Sequence, residues 1–298
     1  MRKGRGINMT KTFQDYYRKA PVDRVKALQK FRQHTVYRTL IYKGVNWTYY
    51  SACSGKQVLM IIPGGLRKAE SIFQELQLFQ DNFRILSLNI PFLMKSDDII
   101  DGLLAILHKE KIDRINILGR SFGGSLAQGF TAKYPDIVQR LIICSTVYSD
   151  ESYIPKTEKA FQTYRSMSEW IARLVIRWAF YNILKTDIKR SGRKYWKAYL
   201  NELLDSISVK NMMLSQLQIG KDLILKHPLT KELIARLNNR ILIIYAKNDK
   251  VISEKDHARY AEYFPQAKIK IFNNGGHLLF ETRAQEYFET IRDFLSKE

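Results

Sequence analysis

Short apolar runs alternate with amphipathic helical segments along most of this chain, and that alternation limits its fold more than any other feature. Val58–Ile62 reads as a buried strand, and Ile72, Phe73, Leu76 and Phe79 follow at helical spacing. A strand over Ile85–Ile90 then precedes a helix bearing Ile99, Ile100, Leu103, Leu104 and Leu107. Further strands are expected at Ile115–Leu118, Leu141–Cys144, Ile241–Tyr245 and Ile269–Phe272, with a helix near Glu254–Tyr263. A last helix aligns Ala284, Tyr287, Phe288, Ile291 and Leu295 on one face. Strands that alternate with helices build a mainly parallel sheet covered on both sides, so the fold class is α/β. Two earlier runs, Thr35–Tyr42 and Asn46–Ala52, read as an antiparallel pair at one edge that turns at Lys43-Gly44.

The alternation stops over residues 151–230, which carry no strand pattern. Ile171, Leu174, Val175 and Trp178 make one helical stripe, and a break follows at Ser191-Gly192. Tyr195, Trp196, Tyr199, Leu200 and Leu203 make a second stripe; Met212, Met213 and Leu217 make a weaker third. The chain of 298 residues thus divides into a basic segment 1–34, a core 35–150, a helical cap 151–230 and a second core part 231–298.

Gly119-Arg-Ser-Phe-Gly123 sits between an expected strand and an expected helix. In that context G-x-S-x-G is a sharp turn that lifts the serine hydroxyl above the strand end, which makes Ser121 the candidate nucleophile. The pentapeptide alone is a weak signal; its position between strand and helix strengthens it. A serine needs a base to remove its proton. Of five histidines, only His277 falls in a loop after the last strand and before the last helix; His108 and His257 fall within helices, where a solvated histidine is expected. Asp249, just beyond the strand ending at Tyr245, is the carboxylate available to orient that base, and its neighbour Asn248 has no charge to offer. An oxyanion needs two donors. The backbone N–H of Phe122 is one, and Gly65 in Pro63-Gly-Gly-Leu66 is the choice for the other, with Gly64 and Leu66 as alternatives in the same loop.

Taken together, the arrangement from about Thr35 onward resembles the α/β-hydrolase superfamily with its helical cap. The order Ser121, Asp249, His277 is the one that resemblance implies. Pro63 departs from the His-Gly pair common there. Tyr17-Arg-Lys-Ala-Pro21, Trp47-Thr-Tyr-Tyr50, Asn89-Ile-Pro91 and Ser121-Phe-Gly-Gly124 are also similar to maspardin-like proteins, a resemblance that implies binding or trafficking rather than catalysis. The late histidine that maspardin lacks is present here as His277.

Charge adds a second theme, since the net charge of +20 is unevenly spread. Residues 1–43 hold 12 Lys/Arg against Asp15 and Asp23, and residues 151–230 hold 14 against 7 acids. Such surfaces attract nucleic acid, an anionic membrane or an acidic substrate. With no nucleic-acid motif beside the charge, a solvated lysine-rich surface is the expectation. The longest apolar stretch, Trp170–Leu184, spans 15 residues and includes Arg173 and Arg177, so no transmembrane segment is expected. Two cysteines, Cys53 and Cys144, build no disulfide framework, and the start lacks a secretory core, with Met9 an alternative start; the cytoplasm is the expected compartment. No metal-ligand spacing, phosphate loop or dinucleotide fingerprint occurs, so no cofactor is inferred. The expected activity is hydrolysis of an ester or related acyl bond in an apolar small molecule. A non-catalytic adaptor and a C–C hydrolase or lyase are the alternatives.

Overall fold

A computed structural model describes residues 11–52, 55–148 and 150–296, so Met1, Met9 and Cys53 lie outside the described residues. Its strands are β1 Arg38–Tyr42, β2 Val45–Ala52, β3 Val58–Ile62, β4 Arg84–Asn89, β5 Ile115–Arg120, β6 Val138–Cys144, β7 Ile241–Ala246 and β8 Lys268–Phe272. They form one eight-stranded sheet in the order β1-β2-β4-β3-β5-β6-β7-β8. The pairings β1–β2 and β2–β4 are antiparallel, and the rest are parallel. The edge hairpin turns at Lys43 and Gly44, both at positive φ (48° and 74°), as a tight two-residue turn requires.

Helices α1 Phe13–Tyr17 and α2 Val22–His34 precede the sheet; α3 Phe73–Phe79, α4 Ser96–Lys109 and α5 Phe122–Lys133 connect its central strands. Between β6 and β7 run α6 Ile154–Ser166, α7 Glu169–Asp187, α8 Arg190–Ser206, α9 Val209–Lys226 and α10 Lys231–Leu237. Then come α11 Glu254–Tyr263, α12 Leu279–Thr282 and α13 Ala284–Leu295. Strand alternation sorts these into layers. Leu59 and Ile61 of β3 join the core under α2, α3 and α13, whereas Met60 and Ile62 join the core under α4, α5 and α11. Both faces of the inner parallel strands are therefore largely dry, which is why they read as apolar runs, whereas the edge strand β8 exposes Lys268 and Ile271.

The basic N-terminal segment is folded onto this frame from Phe13 onward. Tyr17, Leu28 and Phe31 are buried. Arg32 pairs with Glu70 at 2.7 Å and with Glu202 of α8 at 2.8 Å. The inserted helices differ from expectation in two respects. Ser191 and Gly192 lie in the first turn of α8, and the chain breaks one turn earlier, at Ile188–Lys189. In α7 the buried residues are Ala172, Ile176 and Leu184, so the stripe through Leu174 and Trp178 faces outward instead. α7 is apolar on more than one side, and periodicity alone does not choose between them.

Space at two glycines separates packing from propensity. A Cβ at Gly119 would lie 2.3 Å from the Gly123 carbonyl oxygen, whereas one at Gly220, in α9, would meet nothing within 4 Å. Gly119→Ala is expected to lose about 1–3 kcal/mol or more through overpacking. Gly220→Ala is expected to gain about 1 kcal/mol from helix propensity. Denaturant midpoints for the two variants check this; equal midpoints would contradict the packing described.

Candidate active site

A sharp turn lies where β5 meets α5. Ser121 adopts φ 50° and ψ −123° between the end of the strand at Arg120 and the start of the helix at Phe122. A non-glycine residue holds such a conformation only where its surroundings over-determine it. Here Ser121 N–H donates to the Cys144 carbonyl (3.0 Å), while its own carbonyl accepts from Gly124 N–H (2.8 Å) and Thr146 Oγ1 (3.1 Å). Gly123 has no room for a side chain, since a Cβ there would lie 2.3 Å from the Ile62 carbonyl oxygen. The nearby Cys144 thiol is fully enclosed, and burial pushes it up to about 12, which leaves it protonated and unreactive.

Asp249 lies in the loop after β7. Its Oδ1 accepts from Val251 N–H (2.8 Å) and Ile252 N–H (3.1 Å), and its Oδ2 lies 2.9 Å from His277 Nδ1. The carboxylate has no exposed surface. Burial alone would raise its pKa, but the His257 and His277 imidazoles and the Val251 N–H outweigh that and hold it well below the usual carboxylate range. With Nδ1 donating to Asp249, His277 keeps Nε2 as its basic nitrogen. The His277 loop follows β8, so Ser121, Asp249 and His277 all stand at the C-terminal ends of parallel strands. Beside them, at the end of β3, a Cβ on Gly64 would lie 3.5 Å from Ser121 Cβ. The Pro63-Gly-Gly-Leu66 loop therefore abuts the serine, with Gly64 against Ser121 and Gly65 against Gln216 of α9.

Ser121, His277, Gly64 and Gly65 line one cavity of about 320 Å³. Its other walls are largely apolar and come from the inserted helices, including Ile176 and Phe180 of α7, Trp196 and Leu200 of α8, and Met212 and Met213 of α9. Trp170 and Trp178 of the same helix α7 do not line it and are 65% and 69% exposed. A wider cleft of about 680 Å³ opens at the opposite ends of the strands, among Arg114, Arg140, Arg240 and Lys268, and none of the candidate residues reaches it. Among the described residues no group of three or more His, Cys, Asp or Glu is placed to hold a metal ion.

Four further groups bear on the site. His257, expected in solvent, is 1% exposed; its ring stacks on Tyr245 (4.2 Å, 5°) and its Nε2 lies 3.7 Å from Asp249 Oδ2. It shares a helix face with Tyr260 and Phe264, both fully buried, and that pattern was the available signal. Asp187, the last residue of α7, accepts from His277 N–H (2.7 Å) and Leu278 N–H (3.3 Å). Gly276, at φ +65°, makes room for it, because a Cβ there would lie 2.2 Å from Asp187 Cγ. Asn248 Oδ1 accepts from Gly276 N–H (2.9 Å), so this uncharged neighbour steadies the histidine loop. Arg120, buried beside the serine, pairs with Glu75 at 3.1 Å and lies over the Phe280 ring at 3.8 Å. Tyr287 donates to the same Glu75 at 2.8 Å.

Comparison with known proteins gives this geometry a context. The uncharacterized hydrolase YugF of Bacillus subtilis is 22% identical over 296 residues, covering 91% of this chain and all of that protein. Maspardin of Danio rerio is 29% identical over 136 residues, which cover 44% of this chain and 43% of that protein. Among solved structures, a meta-cleavage product hydrolase from Pseudomonas fluorescens superposes with a TM-score of 0.68 at 18% identity, covering 87% of this chain and 97% of that one. Residues 57–284 match the alpha/beta hydrolase fold family, and the chain belongs to that family.

Proposed function

We propose that this hydrolase-family chain cleaves an ester or related acyl bond of an apolar small molecule through a covalent acyl-enzyme on Ser121. The observation that carries the reading is the His277–Asp249 contact of 2.9 Å at the wall of the cavity that Ser121 also lines. Ser121 Oγ attacks the acyl carbon while His277 Nε2 takes its proton. Asp249 holds the imidazole in the tautomer that leaves Nε2 free and stabilises the imidazolium once it forms. The Phe122 N–H, with that of Gly65, faces the charge that develops on the substrate oxygen. His277 then returns the proton to the leaving alcohol, and water, deprotonated by the same nitrogen, releases the acid.

Cavity chemistry supports an apolar acyl chain. Among its described lining residues the one guanidinium, Arg120, already faces the buried Glu75 carboxylate, which leaves no free cation for an acidic substrate. The inserted helices act as the cap that walls off this chain from water. C–C bond hydrolysis by the same three residues is the second reading, suggested by the name of the meta-cleavage product hydrolase that shares the fold. Cys144, a free thiol, suits the reducing cytoplasm.

A fluorophosphonate probe is expected to label Ser121, and Ser121→Ala to abolish labelling. Asp249→Asn should fold yet lose roughly 10⁴ in turnover of p-nitrophenyl esters, because the amide favours the wrong imidazole tautomer. An unlabelled, folded wild type would leave only the adaptor reading. Turnover of a vinylogous diketone with no ester turnover would favour C–C cleavage.

Removing the Asp187 acceptor frees the His277 loop. Asp187→Ala is expected to lower turnover on the order of 10- to 100-fold, as a misplacement of about 1 Å does. Asp187→Asn keeps an acceptor oxygen and should recover most of that loss. Wild-type turnover in the alanine variant would show that the loop holds itself. Trp196→Ala lengthens the cavity and should shift preference towards longer acyl chains; an equal loss for every chain length would instead indicate damage to the fold.

A further inference from the structure

Two of the four tryptophans are buried, Trp47 at 1% and Trp196 at 7% exposure, and the other two stand in solvent on one helix. Trp170 is 65% exposed, Leu174 51% and Trp178 69%. Their spacing of four residues aligns them along one side of α7, roughly opposite the side whose Ile176, Phe180 and Ile183 wall the cavity. Covering this stripe would remove apolar area from water, and apolar patches of this kind on a protein surface mark interaction sites.

Charge around the stripe selects the partner. Lys185 continues the same side of α7 and is exposed. Lys197 of α8 lies over the ring of Tyr181, one turn beyond Trp178, at 4.5 Å, and Lys194 is exposed one turn before it. Residues 151–230 carry 14 Lys/Arg against 7 acids. Tryptophans interleaved with an aliphatic residue and edged by lysines fit the headgroup layer of a bilayer, where indoles settle and lysines meet anionic lipid. A second copy of this chain is disfavoured, since it would bring two faces of like charge together.

We propose that the outer side of α7 docks on an anionic phospholipid bilayer through Trp170, Leu174 and Trp178, with Lys185, Lys194 and Lys197 facing the lipid headgroups. The helix lies flat on the surface, as none in the described residues is long and apolar enough to cross a membrane. Its two sides put the bilayer and the cavity about 10 Å apart, one helix diameter. Docking does not depend on the role given to Ser121.

The test is co-sedimentation of the full chain with vesicles of phosphatidylcholine alone and of phosphatidylcholine with 30 mol% phosphatidylglycerol, at about 0.15 M salt, the physiological ionic strength. Binding is expected to the anionic vesicles only, with a blue shift of tryptophan emission. Trp170→Ser with Trp178→Ser should weaken it about tenfold or more while the unfolding midpoint stays put, because both side chains are exposed. Charge reversal at Lys185, Lys194 and Lys197 should weaken it on the order of 100-fold. Leu174→Asp provides a third, independent variant with the same expected loss. Absent binding to anionic vesicles, or binding indifferent to these substitutions, overturns the proposal. So does a dimer in solution that the tryptophan substitutions dissociate, or tighter binding to a nucleic-acid duplex than to the vesicles.

Discussion

The Asp249 carboxylate has no exposed surface, and a buried charge of that kind persists only where it is surrounded by donors. Much of the site follows from supplying them. The loop after β7 turns two backbone N–H groups onto Oδ1, and the loop after β8 brings His277 to Oδ2. Behind them His257 fills the remaining side against Tyr245. Replacing the carboxylate would leave those donors facing an empty site, so the geometry of the histidine and the stability of both loops are coupled. The strand order makes this possible, because β7 and β8 are parallel neighbours whose C-terminal ends lie together.

The strain at Ser121 is a second constraint met by packing. A positive φ at a serine is tolerated because Gly119 and Gly123 let two backbones and a helix start pass within contact distance. The insertion of helices between β6 and β7 then encloses the serine's side of the sheet, and Asp187 ties the end of α7 to the histidine loop. One helix therefore supplies the cavity wall through Ile176 and Phe180, the loop anchor through Asp187, and an outward stripe of exposed tryptophans.

The parallel core was legible because its inner strands are largely buried on both faces and read as apolar runs. The placement of Ser121, Asp249 and His277 at one edge of the sheet was legible for a related reason: each follows a strand directly or by a short loop, so its position along the chain implies that edge. Asp187 was not legible. Its contact with His277 joins residues 90 apart, and nothing local to either one signals the other. The facing of α7 was misread because Ile171, Val175 and Leu174 compete with Ile176, Phe180 and Leu184 for the inner side. His257 was misread because its helical position was weighed without the apolar face that it shares with Tyr260 and Phe264.

The proposed acyl-enzyme puts the acyl group on Ser121. Rapid mixing of excess p-nitrophenyl ester with the protein, followed by an acid quench and peptide mass spectrometry, measures this directly. A burst of nitrophenol close to one equivalent, with the acyl mass on the peptide containing Ser121, is the result expected of an acyl-enzyme. Following His277→Ala over longer times with an activated ester traps the adduct even where wild-type deacylation is fast. An adduct on another residue in the folded protein would contradict the claim.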